Sequence, residues 1–445
     1  MNSLPPETSN QSLPRQLGLG FAAAAVAGEC IAVGIFLTPA GMAKSLGSPF
    51  WLLIAWLVMG FMALTGALCY GELAATFPQT GGSYIYLQRI FGSRIAFLYG
   101  WMLLLVLDPG LTAALAVGVA AYIGFIAPLS ALHLKLLALC IIWLLCAINR
   151  RSTRMIAGLV RWTTWLKFAV LPFIAIWAIA FRLGAWSNFV PFVTQRPGSA
   201  PLGAAFAGAM VAAFFSFGGW WDVTKLSGEV HDPARTLPRA LVIGVVAVTA
   251  VYVIVSAVFL YLVPLARVTS DQTFVAQAGV ALFGSAGGVI FSAVVVLCIL
   301  GSLTALTFAA PRVYFAMAAD GLFLPSVGRP HPRYGTPSRA VVIQACVASV
   351  LVIVGSFDRI IAYFIFVAVV FLALCVAGLF VMRRRSLNVP AVCTPGYPAT
   401  PIAFLVLVAA LLVMIAMHSP REAAIGTVVV LLGWPVYDVF RRGSA

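Results

Sequence analysis

Residues 17–43 read LGLGFAAAAVAGECIAVGIFLTPAGMA. The run is apolar and long enough to cross a bilayer, which takes about 20 helical residues. It is also interrupted by Gly18, Gly20, Gly28, Gly34, Pro39 and Gly41. A glycine inside a helix costs up to about 1 kcal/mol. In lipid, each backbone group freed from the helix must find another partner. A break at this depth is therefore tolerated where it is buried in protein or lines a cavity. Residues 204–228 repeat the pattern, with Gly208, Gly218, Gly219 and Gly228. Two broken segments at similar depth, first and sixth in the chain, point to a transporter binding site built between repeats. Close helix packing is the competing explanation for such glycines.

The rest of the chain supports a membrane bundle. The sequence is 62% hydrophobic and 9% charged, where a soluble domain carries about 25% charged residues. Its mean hydropathy is +1.06. Twelve apolar segments can be drawn, at roughly 17–43, 50–74, 95–124, 134–149, 155–182, 204–228, 240–265, 286–310, 340–355, 360–382, 402–418 and 423–440. Residues 1–16 form a polar tail without the charged start or cleavage site of a signal peptide.

The net charge of +15 is a statement about topology. With a cytoplasmic N-terminus, seventeen Lys and Arg residues fall on the inner side, among them Arg150, Arg151, Arg154, Arg383, Arg384 and Arg385, and seven on the outer side. Basic loops stay inside, so both termini are expected in the cytoplasm, and nucleic-acid binding is unnecessary to explain the charge. Seven of the eight cysteines lie in apolar runs, no CxxC occurs, and the four histidines are far apart. No metal, redox centre or cofactor is expected. Neither a P-loop nor GxGxxG is present, and no cluster of catalytic side chains marks an enzyme.

Ionisable groups at membrane depth cost about 2.5–3.5 kcal/mol each on insertion scales and mark function. Four stand out: Glu29 at the first break, Asp108 before Pro109 and Gly110 midway through segment three, Lys167 in segment five, and Asp222 after the second break. Lys225 is one turn beyond Asp222, so those two can pair locally in a structural or gating role. Lys167 lacks an acidic neighbour in sequence. Snorkelling is its bland reading. The sharper readings are a proton carrier or a fixed charge in the place of a sodium ion, with Glu29 either paired to it or sensing a substrate ammonium. Half-helix starts suit a carboxylate and half-helix ends an ammonium. The candidate segments are Cys30-Ile31-Ala32-Val33-Gly34 and Ser216-Phe217-Gly218-Gly219-Trp220, with the aromatics Phe214, Phe215, Phe217, Trp220 and Trp221 as walls or gates. Glu72 and Glu229 lie near cytoplasmic helix ends, where they can meet loop arginines.

Several motifs in order resemble one family. Ile31-Ala32-Val33-Gly34-Ile35-Phe36 is similar to its IGSGIF, and Cys69–Phe91 (CYGELAATFPQTGGSYIYLQRIF) to the end of its second helix and the loop beyond. Phe215–Trp220, Gly228–Pro233 and Leu237–Ala240 resemble its broken sixth helix and following loop. Gly301-Ser302-Leu303, Pro311–Gly321, His331–Pro337 and Pro395–Pro401 continue the likeness. The chain thus resembles, from about 17 to 442, the amino acid–polyamine–organocation transporters, and among them bacterial relatives of the L-type amino acid transporter (LAT) group.

The resemblance implies an all-α membrane protein with twelve transmembrane helices in a five-plus-five inverted repeat, the LeuT-like fold with helices 1 and 6 broken. Residues 17–182 and 204–382 would be the repeats, 402–440 two peripheral helices and 441–445 a cytoplasmic tail. It implies an amino acid carboxylate on the amides of Ala32, Val33 and Gly34, and an ammonium on carbonyls near Phe215, Ser216 and Gly218. Lys167 would stand where related transporters hold sodium, Ser302 and Thr304 beside it and Asp108 in support; Phe217 and Trp220 would be gates. Ala32 and Val33 replace a Gly and a Ser of the motif, and Glu29 replaces a small or apolar residue. The loop at residues 125–133 has no cysteine to bond a glycoprotein partner, so no disulfide-linked heavy chain is expected.

The function expected is sodium-independent, alternating-access transport of neutral amino acids across the inner membrane, by exchange or with protons. The rival readings are a cationic amino acid or polyamine carrier using Glu29 and Asp108, an amino acid sensor, and a channel.

Overall fold

The structure, a computed structural model, describes residues 13–32, 34–265, 278–354, 357–385, 392–418 and 420–443. Among these residues every regular element is helical. The helices are α1 (Leu19–Cys30), α2 (Gly34–Leu46), α3 (Pro49–Thr76), α4 (Ser83–Phe91), α5 (Ser93–Met102), α6 (Asp108–Ile126), α7 (Ala131–Arg151), α8 (Thr153–Ala180), α9 (Leu202–Phe217) and α10 (Pro233–Leu262). They continue as α11 (Gly287–Ala309), α12 (Pro311–Ala319), α13 (Ser338–Val354), α14 (Phe357–Arg384), α15 (Ala399–His418), α16 (Pro420–Leu431) and α17 (Gly433–Gly443).

Helix starts follow local chemistry. The hydroxyls of Ser130 and Ser152 accept from the amides of His133 (3.4 Å) and Met155 (3.1 Å), satisfying donors left free at a first turn. Pro49, Pro233 and Pro311 sit at N1 or N2, where a missing N–H costs nothing. These caps explain why the helix of the seventh segment starts at Pro233, before the apolar run drawn from 240. They also explain why the eighth continues through α12 to Ala319.

Among the described residues, nine helical stretches are long and apolar enough to cross a membrane, and Leu19–Cys30, Ser338–Val354 and Ala423–Val439 are shorter apolar helices. Large apolar side chains such as Phe61, Trp162, Trp165, Ile176 and Val246 are exposed along them, a surface suited to lipid and costly in water. The chain is a multi-pass membrane protein.

The third segment is interrupted. Pro109 has no N–H to continue the ladder, and a π-helical turn, Leu103–Leu107, precedes Asp108. The hydroxyl of Tyr314 on α12 donates to Asp108 Oδ2 at 3.0 Å and stands 3.3 Å from the Leu103 carbonyl. Around this core α1 packs on α8, α10 and α11, α2 on α9, and α3 on α10. Residues 16 and 17 are docked, not free: their amides donate to Glu229 O (2.8 and 2.9 Å), and the His231 amide donates to Leu17 O (2.8 Å). This makes a one-residue parallel bridge between Leu17 and Val230.

Candidate functional site

Both predicted breaks are real, and they meet. α1 stops at Cys30; Ile31 (φ −75°, ψ 73°) is the centre of a tight turn closed by the Ala32 amide on Cys30 O at 2.7 Å. α2 resumes at Gly34. α9 stops at Phe217, Gly218 is extended, and Gly219 has φ +100°. The chain then continues as a 3-10 helix, Asp222–Glu229, rather than an α-helix. Gly34 is required by close approach, since a Cβ there would lie 2.7 Å from Ser216 Cα. Gly219 is required by its positive φ, and a Cβ there would also lie 3.0 Å from Glu29 Cβ.

Side chains tie one break to the other. Cys30 Sγ donates to Phe217 O at 3.2 Å. The hydroxyls of Thr38 and Ser216 are 2.8 Å apart. Tyr252 on α10 brings its hydroxyl to 2.5 Å from Cys30 O and 2.6 Å from Ser216 O. A phenol has one proton, so it serves one of these carbonyls at a time. Sequence reasoning missed Tyr252; the signal was a hydroxyl-bearing aromatic within an apolar run.

Lys167 on α8 is 2% exposed. Its ammonium donates to Gly28 O (2.8 Å), Ile31 O (2.6 Å) and Ser302 Oγ (2.7 Å). An ammonium has three protons, and all three are used. Ser302 on α11 also stands 2.5 Å from Gly28 O. The lysine caps the carbonyl end of α1, where a cation is favoured. It does not snorkel, and among the described residues no ion pair joins it to Glu29. Thr304, expected beside it, instead donates to Leu300 O one turn back (2.7 Å).

The second buried lysine has acidic company. Lys225 Nζ is 3.0 Å from Asp108 Oδ1 and 3.0 Å from Asp222 Oδ1, with all three residues buried. The local Asp222–Lys225 pair was legible; the link to Asp108, 117 positions away, was not.

Between the breaks lies a cavity of about 70 Å³. Of the predicted residues, Glu29, Cys30, Ala32, Gly34, Phe215, Ser216, Gly218, Gly219 and Ser302 line it. Phe214 and Trp221, named among the aromatic walls, also line it, while Asp222, Leu111 and Ile365 add walls that the sequence reading did not assign to the pocket. Ile31 contributes its carbonyl to Lys167 rather than a wall. Phe217 and Trp220 turn away: Phe217 packs on Tyr252 (ring centroids 5.0 Å apart) and Trp220 on Tyr70 (5.2 Å). Asp108 stays behind the wall, and Val33 lies outside the described residues.

The two helix-end glutamates meet arginines as expected. Arg312 grips Glu229 through two nitrogens (2.8 and 3.3 Å), and Arg383 grips Glu72 likewise (2.9 and 2.7 Å). Such forked pairs fix geometry as well as charge.

Spanning helices, two facing breaks and a cavity between them define the class, a multi-pass membrane transporter. Residues 17–436 match the family described as amino acid permease, and the chain belongs to that family. It moves amino acids across a membrane, and its family is one of permeases rather than of enzymes. The chain is 28% identical to the serine/threonine exchanger SteT of Bacillus subtilis (strain 168), over 98% of this chain and 99% of that one. It is 31% identical to the human large neutral amino acids transporter small subunit 2, over 96% and 80%. With the mouse Asc-type amino acid transporter 1 it shares 26% identity, over 97% and 83%.

Proposed function

We propose that this permease exchanges neutral amino acids across the inner membrane, without sodium, by alternating access in a twelve-helix LeuT-like fold with both termini cytoplasmic. The repeats are 17–182 and 204–382, with 402–440 peripheral. The observation that carries the reading is the cavity bounded by the start of α2 and the end of α9. A zwitterion fits such a place. Its carboxylate faces the amide end of α2 at Gly34, the Ala32 amide being held by Cys30 O, and its ammonium faces the last carbonyls of α9, around Phe215, Ser216 and Gly218. Cys30, Phe215 and Gly219 form nearby walls. Ile31, Phe217 and Trp220 support the breaks from behind.

Lys167 is the fixed charge in place of a sodium ion, with Ser302 as its partner and Thr304 as a neighbour on the same helix. Its full set of hydrogen bonds supports a holding role over a proton-carrying one. The printed names of two relatives, an exchanger of serine and threonine and a transporter of large neutral amino acids, support neutral substrates. A cationic or polyamine reading loses one of its two acids, because Asp108 is bonded to Lys225 and Tyr314 outside the cavity. No disulfide-linked partner is proposed, since residues 125–133 hold no cysteine.

The test is uptake of a radiolabelled amino acid mixture into liposomes holding the purified protein. Uptake of neutral amino acids into preloaded vesicles, and little into empty ones, is the expected result. Uptake independent of preloading would replace exchange by one-way transport. Absence of uptake of every amino acid, beside a working control transporter, would overturn the substrate reading.

A further inference from the structure

Among the described residues that line the cavity, Glu29 is an acid that forms no ion pair. It is 8% exposed, its Oε2 has no hydrogen-bond partner, and it lines the cavity. The groups that face it are known from each neighbouring element. The 3-10 segment brings Asp222 and Lys225, and behind them α6 brings Asp108; Lys225 is shared between those two aspartates. α8 brings Lys167, whose three protons are spent on Gly28 O, Ile31 O and Ser302 Oγ. α10 brings Tyr252, bonded to backbone carbonyls, and α11 brings Cys298, a buried thiol. Thus three carboxyls share one available cation, Lys225. With all three ionised, the buried cluster would carry three negative charges for one positive. Buried charge without a partner is expensive and is usually removed by protonation. Glu29 is also in the last turn of α1, the end of a helix that disfavours an anion.

We propose that Glu29 holds an exchangeable proton in the substrate cavity and thereby makes amino acid movement depend on pH. The proton enters from water on one side, bonds to a carboxylate oxygen of Glu29, and leaves to water on the other side when the cavity changes its opening. Lys167 keeps its own protons throughout. This rests on the substrate reading above, in that the cavity is the transport site.

Two measurements test it. The first is infrared spectroscopy of purified wild type and Glu29→Gln. The wild type is expected to show the carbonyl stretch of a protonated carboxylic acid that bleaches as pH rises, and the variant is expected to lack it. Identical spectra would overturn the proposal. This measurement needs folded protein and no transport, so it stands even if the substrate reading fails. Should Glu29→Gln not fold, Glu29→Asp is expected to keep a titrating band with a displaced midpoint, and an unmoved midpoint would assign the band elsewhere. The second is the pH profile of exchange. Wild type is expected to change by about tenfold per pH unit on the limb where the group titrates. Glu29→Gln is expected to be flat there, whatever its absolute rate, and a retained profile would overturn the proposal.

Discussion

Lys167 and Lys225 are both buried in one bundle, yet their charges are balanced by different means. Lys167 is met by neutral partners, two carbonyls at a helix end and a serine hydroxyl. Lys225 is met by two carboxylates. The first arrangement spends the cation on backbone that a broken helix has left bare. The second neutralises charge and joins the 3-10 segment to α6. A lysine of the first kind holds a break; one of the second kind holds helices together. The comparison predicts unequal damage when each is removed.

The largest effect is expected at Lys225. Lys225→Met strands Asp108 and Asp222 in the interior, and breaking a buried pair in this way costs about 3–5 kcal/mol. A large fall in thermal stability in detergent, with loss of transport, is the expected result. Adding Asp108→Asn and Asp222→Asn should restore much of the stability. A single variant as stable as wild type would break the comparison.

Removing Lys167 should do less to stability and as much to transport. Lys167→Ala leaves the Gly28 and Ile31 carbonyls with Ser302 alone, and a buried group left unsatisfied costs about 1–3 kcal/mol. Melting should shift modestly while exchange falls at least about tenfold, the rate equivalent of roughly 1.4 kcal/mol. If Lys167→Ala unfolds the protein more readily than Lys225→Met does, the division between the two lysines is wrong.

The smallest of the three effects belongs to Tyr252→Phe. It keeps the ring packed on Trp56 and Phe217 and deletes one hydroxyl shared by two carbonyls. A loss of about 1 kcal/mol is expected, with exchange slowed several-fold, since each break then lacks a link to α10. Unchanged exchange would show that the two breaks do not depend on that hydroxyl.

Much of this was legible in the sequence because membrane chemistry leaves few choices. Glycines 28, 34, 218 and 219 located the breaks, and Glu29, Lys167 and Asp222 announced themselves as ionisable groups in apolar runs. What the sequence did not carry was direction. At a broken helix the 3.6-residue period is lost, so nothing in the order of residues said that Phe217 and Trp220 face away while Phe214 and Trp221 face the cavity. Nor did it give partners across the bundle. Asp108 reads as a site residue because its match, Lys225, lies 117 positions away. Thr304 reads as a neighbour of Lys167, but its hydroxyl closes on its own helix.

The bridge between Leu17 and Val230 has a mechanical consequence. Three backbone hydrogen bonds clamp the chain just before the first broken helix to the chain just after the second. Cys30 and Phe217 join the same two strands of chain again at the breaks. The pair is thus fastened at two points. A pull on the N-terminus would be transmitted to both halves of the cavity at once, so a weight tethered to that end would act as a brake on the whole cycle.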